Sequence, residues 1–393
     1  MAGNVKNKRK NFGYFDYSLL FILIFLLGFG LVMIYSTSSY SASLNFDGDG
    51  LFYFKRQLFA VIFGLIVMLG VSFIPFQLYK SVSVFVYGFS LATVFLILTP
   101  LGYSANGAKR WIRVAGQSIQ PAEIVKIGVI LFTSFLIFYF KDISAKDKNT
   151  FKYAAIILCP GFIGALLIFL ITNNLSSAII IAGISIVLLL ISTPRCVKAY
   201  IVLGFLAVLV AAVVFYMYFK VSHSTNVGSL NFRFERVLAW FNPEQYADGK
   251  GFQTLQALYG IGSGGMFGKG LGKSMQKLGF LPEAYNDMIF SVICEELGFF
   301  GGLSVILMFA FLLYRIYFIS KYTKSLFGNQ LLCGIFAHIA IQVVLNIAVV
   351  TNTIPNTGIS LPFISFGGTS VLFLLIEMGI VLNIARYVDF NEG

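Results

Sequence analysis

Four carboxylates stand close together in this chain: Glu283, Asp287, Glu295 and Glu296, all inside the stretch from Phe280 to Gly302. The sequence holds only 16 acidic residues against 28 basic ones, so this concentration asks for a reason. Glu283 and Asp287 are four apart, which puts both on one face of a helix. Glu295 and Glu296 lie deeper, among Phe, Val, Ile and Leu. An acid inside an apolar run is costly unless it faces protein or water, so it is a functional candidate by default. No nucleophile triad can be assembled, and no His/Cys cluster has metal-ligand spacing. Any chemistry therefore belongs to carboxylates and cations.

The cations recur in three places. Asn106-Gly-Ala-Lys-Arg-Trp-Ile-Arg113 joins a turn to Lys109, Arg110 and Arg113. Arginine suits phosphate because its planar fork bonds two oxygens, and Trp111 fits a membrane-interface belt. A few residues on, Pro121 suits a first helical turn. Glu123 sits in that turn, where the helix dipole favours negative charge. Lys126 follows inside an apolar run, either as the partner of Glu123 or as a cation facing a water-filled cavity. The third place is the Gly-rich section 249–279, with Lys269, Lys273 and Lys277. Its Gly260-Ile-Gly-Ser-Gly-Gly265 has no preceding strand, and Gly272-Lys-Ser274 lacks the first glycine of a P-loop, since Phe267 stands there. Two readings stay open: a tight turn close to a ligand, or an amphipathic interfacial segment. Further on, the stretch 352–370 carries Pro355, Pro362, Ser365 and the pair Gly367-Gly368, which mark irregular backbone at membrane depth. Such backbone persists only against protein or a cavity. Glu377 lies inside the last span. His338, alone on an apolar helix, reads as a packed core histidine, and His223 as a loop residue.

The elements that must position these residues are membrane spans. The 393 residues are 58% hydrophobic and 11% charged, whereas soluble domains carry about 25% charged residues. The fold class is an all-α polytopic membrane protein. Ten spans are expected near 17–37, 56–74, 78–99, 121–140, 153–171, 175–193, 198–219, 287–317, 329–351 and 362–386. The organisation is a basic cytoplasmic N-terminus (1–16), spans one to seven (17–219), a large outer site-forming loop (220–286), spans eight to ten (287–386) and a cytoplasmic tail (387–393). Lys6, Lys8, Arg9 and Lys10 precede the first span, which reads as a signal anchor rather than a cleaved signal peptide. Lysines at 141–152, with Arg195, Lys198, Lys321 and Lys324, fit the positive-inside rule. The net charge of +12 is thus explained by topology, not by nucleic acid. The outer segments 100–120 and 220–286 are basic against that rule. An anionic ligand at the outer face would explain them, and so would anionic lipid headgroups. The four cysteines sit in or at the ends of apolar spans and read as small core residues.

Four motifs together resemble one known family. Leu281-Pro-Glu-Ala-Tyr-Asn-Asp287 running on to Glu295-Glu-Leu-Gly298 is similar to a signature of the SEDS family (shape, elongation, division, sporulation). The segments 106–112, 121–126 and 361–370 resemble its other motifs, in the same order and over nearly the whole chain. Pro282-Glu-Ala284 and Leu382-Asn-Ile-Ala-Arg386 look more like the division and sporulation branch than the elongation branch. The chain departs from the family at Asn173-Asn-Leu-Ser-Ser177, where Asp-Leu-Gly-Thr is usual, and at Tyr285, Asn286 and Met288.

The resemblance implies a peptidoglycan glycosyltransferase that polymerises lipid II at the outer face of the bacterial cytoplasmic membrane, in septum synthesis. It assigns Asp287 as the general base for the acceptor 4-hydroxyl. Lys109, Arg110, Lys126, Lys269 and Lys273 become candidates for the donor's diphosphate. Trp111, Glu123, Glu283, Glu295, Glu296, Ser365, Gly367 and Gly368 are then supporting residues. A divalent cation, magnesium or manganese, is the one cofactor considered, without an organic one. The implied partners are a class B penicillin-binding protein and other division or sporulation proteins. Two rival readings are a lipid II flippase, which needs no general base, and a scaffold that only recruits a transpeptidase.

Overall fold

In the computed structural model, residues 15–105, 108–114, 117–141, 150–192, 232–249 and 251–388 are described. Among them nine helices are long and apolar enough to cross a membrane. These are α1 (Tyr17–Asn45), α2 (Phe52–Phe73), α3 (Phe76–Phe95), α4 (Pro121–Tyr139), α5 (Thr150–Thr172), α6 (Leu175–Ser192), α9 (Ile289–Tyr322), α10 (Leu326–Val350) and α11 (Gly368–Ala385). Two shorter helices, α7 (Phe232–Phe241) and α8 (Phe252–Gly264), lie in the long segment between α6 and α9. The expected seventh span, 198–219, falls outside the described residues, as do Asn106 and His223.

The bundle is a multi-pass membrane protein. Its perimeter exposes large apolar side chains such as Phe21, Ile66, Phe85, Leu170 and Leu307. Lipid, not water, is the solvent such a surface suits. Inside, α11 packs on α2, α3 on α4, α5 on α6, and α10 on both α6 and α9. Helix α1 is pinned at its start. Asp16 accepts from Leu19 N at 2.9 Å as an N-cap and pairs with Arg315 of α9 at 2.7 Å.

Three features depart from a plain set of helices. The segment 100–120 is not a loop but a three-stranded antiparallel sheet: β1 (Gly102–Ala105), β2 (Ala108–Val114) and β3 (Gln117–Ile119). The last span begins at Gly368, not 362, so residues 352–367, between α10 and α11, form an irregular strap before it. Helix α9 is broken at Gly298, where φ is 72° and ψ −168°.

The Gly-rich section splices into that break. The N–H groups of Lys269 and Gly270 donate to the carbonyls of Glu295 and Glu296 at 3.0 and 2.9 Å. Phe299 N donates to Gly265 O at 2.8 Å. Backbone groups freed by the kink are thus paired with the loop, as burial requires. The approach is possible only between glycines. A Cβ at Gly298 would stand 2.4 Å from Gly268 N, and one at Gly268 would stand 2.2 Å from Glu296 O.

Candidate active site

Asp287 lies two residues before α9 and is 7% exposed. Elements distant in sequence converge on it. From α8, Gln253 donates to Asp287 Oδ1 at 3.4 Å and to Pro282 O at 3.3 Å. From α10, Asn346 Nδ2 donates to the carbonyl of Asp287 at 2.8 Å and to that of Ile359 at 2.6 Å. From the strap, Gly358 (φ 69°) lies so close that a Cβ there would sit 3.5 Å from Asp287 Oδ2. Asn356 donates to Gln253 Oε1 at 2.8 Å, and Arg236 of α7 donates to Asn356 O at 3.2 Å. Trp240 and Asn352 exchange side-chain to carbonyl bonds of 2.9 and 3.2 Å, which ties α7 to the start of the strap.

This setting favours the neutral acid. Burial pushes the Asp287 carboxyl up to about 7, and the nearby Glu283 carboxylate adds to the rise. Backbone N–H groups and the Arg236 guanidinium oppose it. A carboxyl poised near neutrality can take a proton at working pH and release it again. Glu283, half-buried, accepts from Asn286 Nδ2 at 3.2 Å.

The floor of the site is held by side chains and by strained backbone. Ser365 accepts from Leu361 N at 2.8 Å and donates to Asn286 O at 2.6 Å. Gly367 N donates to Gln57 Oε1 at 3.1 Å, and Gly368 opens α11. Tyr285 stacks on Tyr53 with ring centroids 4.4 Å apart. Glu283, Asn352 and Phe363 all have positive φ, at 56°, 55° and 62°. Left-handed backbone at non-glycine residues costs of order 1–3 kcal/mol each and persists where surroundings over-determine it. Here the three positions lie on the two segments that frame Asp287.

The sheet carries part of the basic set towards this region. Arg110 of β2 donates to Asn173 O at 3.3 Å, at the α5–α6 corner. Ser176, on the same corner, donates to Thr357 O beside Gly358. Asn174 takes over capping, accepting from Ser177 N at 3.1 Å. The corner where this chain lacks the usual acid is therefore linked to the strap through neutral groups. Lys109 is exposed, Trp111 is half-buried, and Arg113 lies 4.1 Å over the Tyr103 ring.

A second polar group lies between the helices. Lys126 pairs with Glu123 at 2.8 Å and donates to Gln342 Oε1 at 3.3 Å. Glu123 also accepts from Ser370 at 3.4 Å. Gln342 Nε2 donates to Ser360 O at 3.0 Å, so this group adjoins the same strap. His338 is buried as expected of a core residue, but it is not alone: Glu377 lies 2.9 Å from its Nδ1.

Glu295 and Glu296 sit apart from Asp287 and face the Gly-rich loop. Glu295 pairs with Lys269 at 2.7 Å and accepts from Ser274 Oγ and from Met275 N at 3.0 Å. Glu296 pairs with Lys277 at 2.8 Å and accepts from Ser36 of α1 at 2.7 Å. Both carboxylates are fully buried and hold the loop into the α9 break. Lys273 remains exposed on that loop.

Comparison with known proteins gives this constellation its relatives. A family model described as "Cell cycle protein", covering FtsW, RodA and SpoVE, matches residues 17–389. The chain belongs to the FtsW/RodA/SpoVE family. Within it, the chain is 35% identical to stage V sporulation protein E of Bacillus subtilis (strain 168), over 95% of this chain and 97% of that one. It is also 35% identical to the probable peptidoglycan glycosyltransferase FtsW of the same organism, over 96% and 92% of the two chains. Among solved structures, one described as "Structural coordination of polymerization and crosslinking by a peptidoglycan synthase complex" matches with a TM-score of 0.74 at 24% identity, covering 95% of this chain and 99% of that one. The Thermus thermophilus rod shape determining protein RodA matches with a TM-score of 0.63 at 23% identity, over 95% and 98%. These likenesses show that the fold is shared.

Several residues of this candidate site were not singled out by sequence: Arg236, Gln253, Gln342, Asn346 and Asn356. One signal was available. His338, Gln342 and Asn346 recur every four residues on an otherwise apolar helix, which puts them on one face.

Proposed function

We propose that this chain is a peptidoglycan glycosyltransferase that polymerises lipid II at the outer face of the bacterial cytoplasmic membrane. The observation that carries the reading is Asp287: a desolvated carboxyl with its pKa near neutrality, framed by Gln253, Arg236 and Gly358. Relatives bearing the name peptidoglycan glycosyltransferase support it.

In this mechanism the acceptor sugar's 4-hydroxyl attacks the anomeric carbon of the donor. Asp287 takes the hydroxyl proton as the O4–C1 bond forms, a contribution of about 10²–10⁴-fold. The bond from C1 to the diphosphate oxygen breaks, and its electron pair leaves with the lipid diphosphate. The anomeric centre inverts, and no covalent enzyme intermediate forms. Arg110 and Lys109 on the sheet, with Lys126 between the helices, stabilise the departing negative charge. Lys126, 1% exposed, gives two of its three ammonium protons to Glu123 and Gln342, and the third would meet a phosphate oxygen once the head group enters between the helices. Lys273 extends the basic surface of the outer loop, whereas the charge of Lys269 is matched by Glu295. A divalent cation would have to arrive with the diphosphate: no group of three His, Cys, Asp or Glu side chains able to hold one occurs among the described residues. Magnesium commonly uses one or two carboxylates plus substrate phosphates, and Glu283, the carboxylate near Asp287, would be the one to serve it.

The membrane-inside distribution of lysines supports cytoplasmic termini, and the sporulation and division relatives support action at a septum. A class B penicillin-binding protein is the natural partner, given that the solved neighbour couples polymerisation to crosslinking in one complex.

The test uses purified protein in liposomes with lipid II, a divalent salt and the class B partner, and reads glycan polymer on a gel. Polymer from the wild type and none from Asp287→Asn is the expected result. Transport of labelled lipid II without polymer, with partner and metal varied, would replace the reading with a flippase. Arg110→Ala is expected to raise the KM for lipid II about tenfold or more while protein yield holds; a parallel fall in yield would make Arg110 a structural residue.

A further inference from the structure

His338 and Glu377 take no part in the chemistry above, yet both are 1% exposed and ionisable in the middle of the bundle. Such groups are costly at membrane depth unless they face a partner and a purpose. Their surroundings can be resolved proton by proton. Gln342 Nε2 donates to the Ser360 carbonyl at 3.0 Å. The Gln342 Oε1 atom is thereby left for Lys126 Nζ at 3.3 Å and His338 Nε2 at 3.0 Å. Reversing the amide would set its NH₂ against the Lys126 ammonium and its oxygen against the Ser360 carbonyl. The orientation is therefore fixed by its neighbours.

An amide oxygen only accepts, so His338 Nε2 must carry a proton. On the other side of the ring, Nδ1 is 2.9 Å from both Glu377 oxygens. One further proton is shared between Nδ1 and that carboxylate. Whether it sits on the ring or on the acid, the pair is neutral overall and Nε2 stays a donor. Helix α11 thus sets the tautomer of a histidine on α10. The histidine holds Gln342, and Gln342 holds the ammonium that α4 presents beside the strap.

We propose that His338 and Glu377 are positioning residues that fix Gln342, and through it Lys126, for binding of the donor's diphosphate. The inference rests on the reading of Lys126 given above. It asks only for a donor at the Nε2 position, not for a charge in the bundle.

Two double variants separate positioning from packing. His338→Leu/Glu377→Leu removes the donor and the buried pair together and leaves apolar groups, a change that buried pairs often tolerate without loss of stability. His338→Gln/Glu377→Leu removes the charges but keeps an N–H where Nε2 stood. With equal yield and equal melting temperature, the first should raise the KM for lipid II about tenfold with kcat little changed. The second should stay within about twofold of wild type. Equal KM values in the two doubles overturn the proposal, as does a matching loss in both.

A second readout needs no polymerase activity. The chain has two histidines, so ¹⁵N-histidine spectra of the protein in nanodiscs are assigned by comparison with His338→Gln. Nε2 protonated, with Nδ1 strongly hydrogen-bonded, is the expected state of His338. An unprotonated Nε2 would contradict the relay even if lipid II proved not to be the substrate.

Discussion

At the scale of single residues, Asp287 is where the energetics and the chemistry pull against each other. Its carboxyl is raised from 3.8 to about 7. Between those values the folded protein binds more protons than the unfolded chain, so stability falls as pH rises through that window. Above pH 7 the cost is constant and of order a few kcal/mol. Asp287→Asn removes it. The variant should lose activity and yet melt at a higher temperature than wild type at pH 8, with the difference shrinking as the pH falls towards 4. A melting temperature lowered at pH 8 would show that the carboxylate stabilises the fold. In the sequence, Asp287 stood out as one of four clustered carboxylates at the mouth of an apolar run, and the family resemblance chose it among them. Arg236 and Gln253 did not stand out, since each comes from a separate short helix and nothing near it in sequence marks its neighbour. His338 read as a lone core histidine for the same reason: Glu377 is on another helix, 39 residues away.

At the scale of elements, the Gly-rich loop and the break in α9 form one unit. Glu296 and Lys277 are buried against each other and against Ser36. Removing one partner alone leaves an unpaired buried charge, at a cost of about 3–5 kcal/mol. Glu296→Leu should therefore lower the melting temperature sharply in detergent, and Glu296→Leu/Lys277→Met should recover most of the loss. Gly298→Ala should fail like the single variant, because the added Cβ meets backbone at 2.4 Å. A single variant as stable as wild type would show that the loop is not fixed by these carboxylates. The cluster of acids in sequence thus divides in space: Glu283 and Asp287 face the site, and Glu295 and Glu296 face the loop. Position alone did not separate them, because the division depends on the kink. The sheet was illegible for a different reason. Its strands are 4, 7 and 3 residues long, too short for a period of two to show above the turn residues around them.

At the scale of the whole molecule, the helical layout was the most legible part. Hydropathy fixes where spans lie because every spanning segment must satisfy its own backbone in lipid. What hydropathy does not carry is where a span begins to be helical. The end of the strap, Pro362 to Gly367, is apolar enough to read as span, but its backbone serves the site instead. Topology gives a test at this scale. In a background with the native cysteines replaced, Lys273→Cys should react with an impermeant maleimide added outside cells, and Lys321→Cys only after permeabilisation. Both positions are exposed and lie towards opposite ends of α9. The reverse pattern would place Asp287 on the cytoplasmic side, where the proposed reaction does not occur. The central claim is more direct still: that Asp287 removes the acceptor's proton. It is tested by single-turnover polymerisation of lipid II as a function of pH, wild type beside Asp287→Asn, with the partner present. The account predicts a wild-type rate that rises with pH to a plateau above about 7 and a variant slower by about 10²–10⁴-fold at the plateau. A variant that polymerises at the wild-type rate, with the same pH profile, would contradict it.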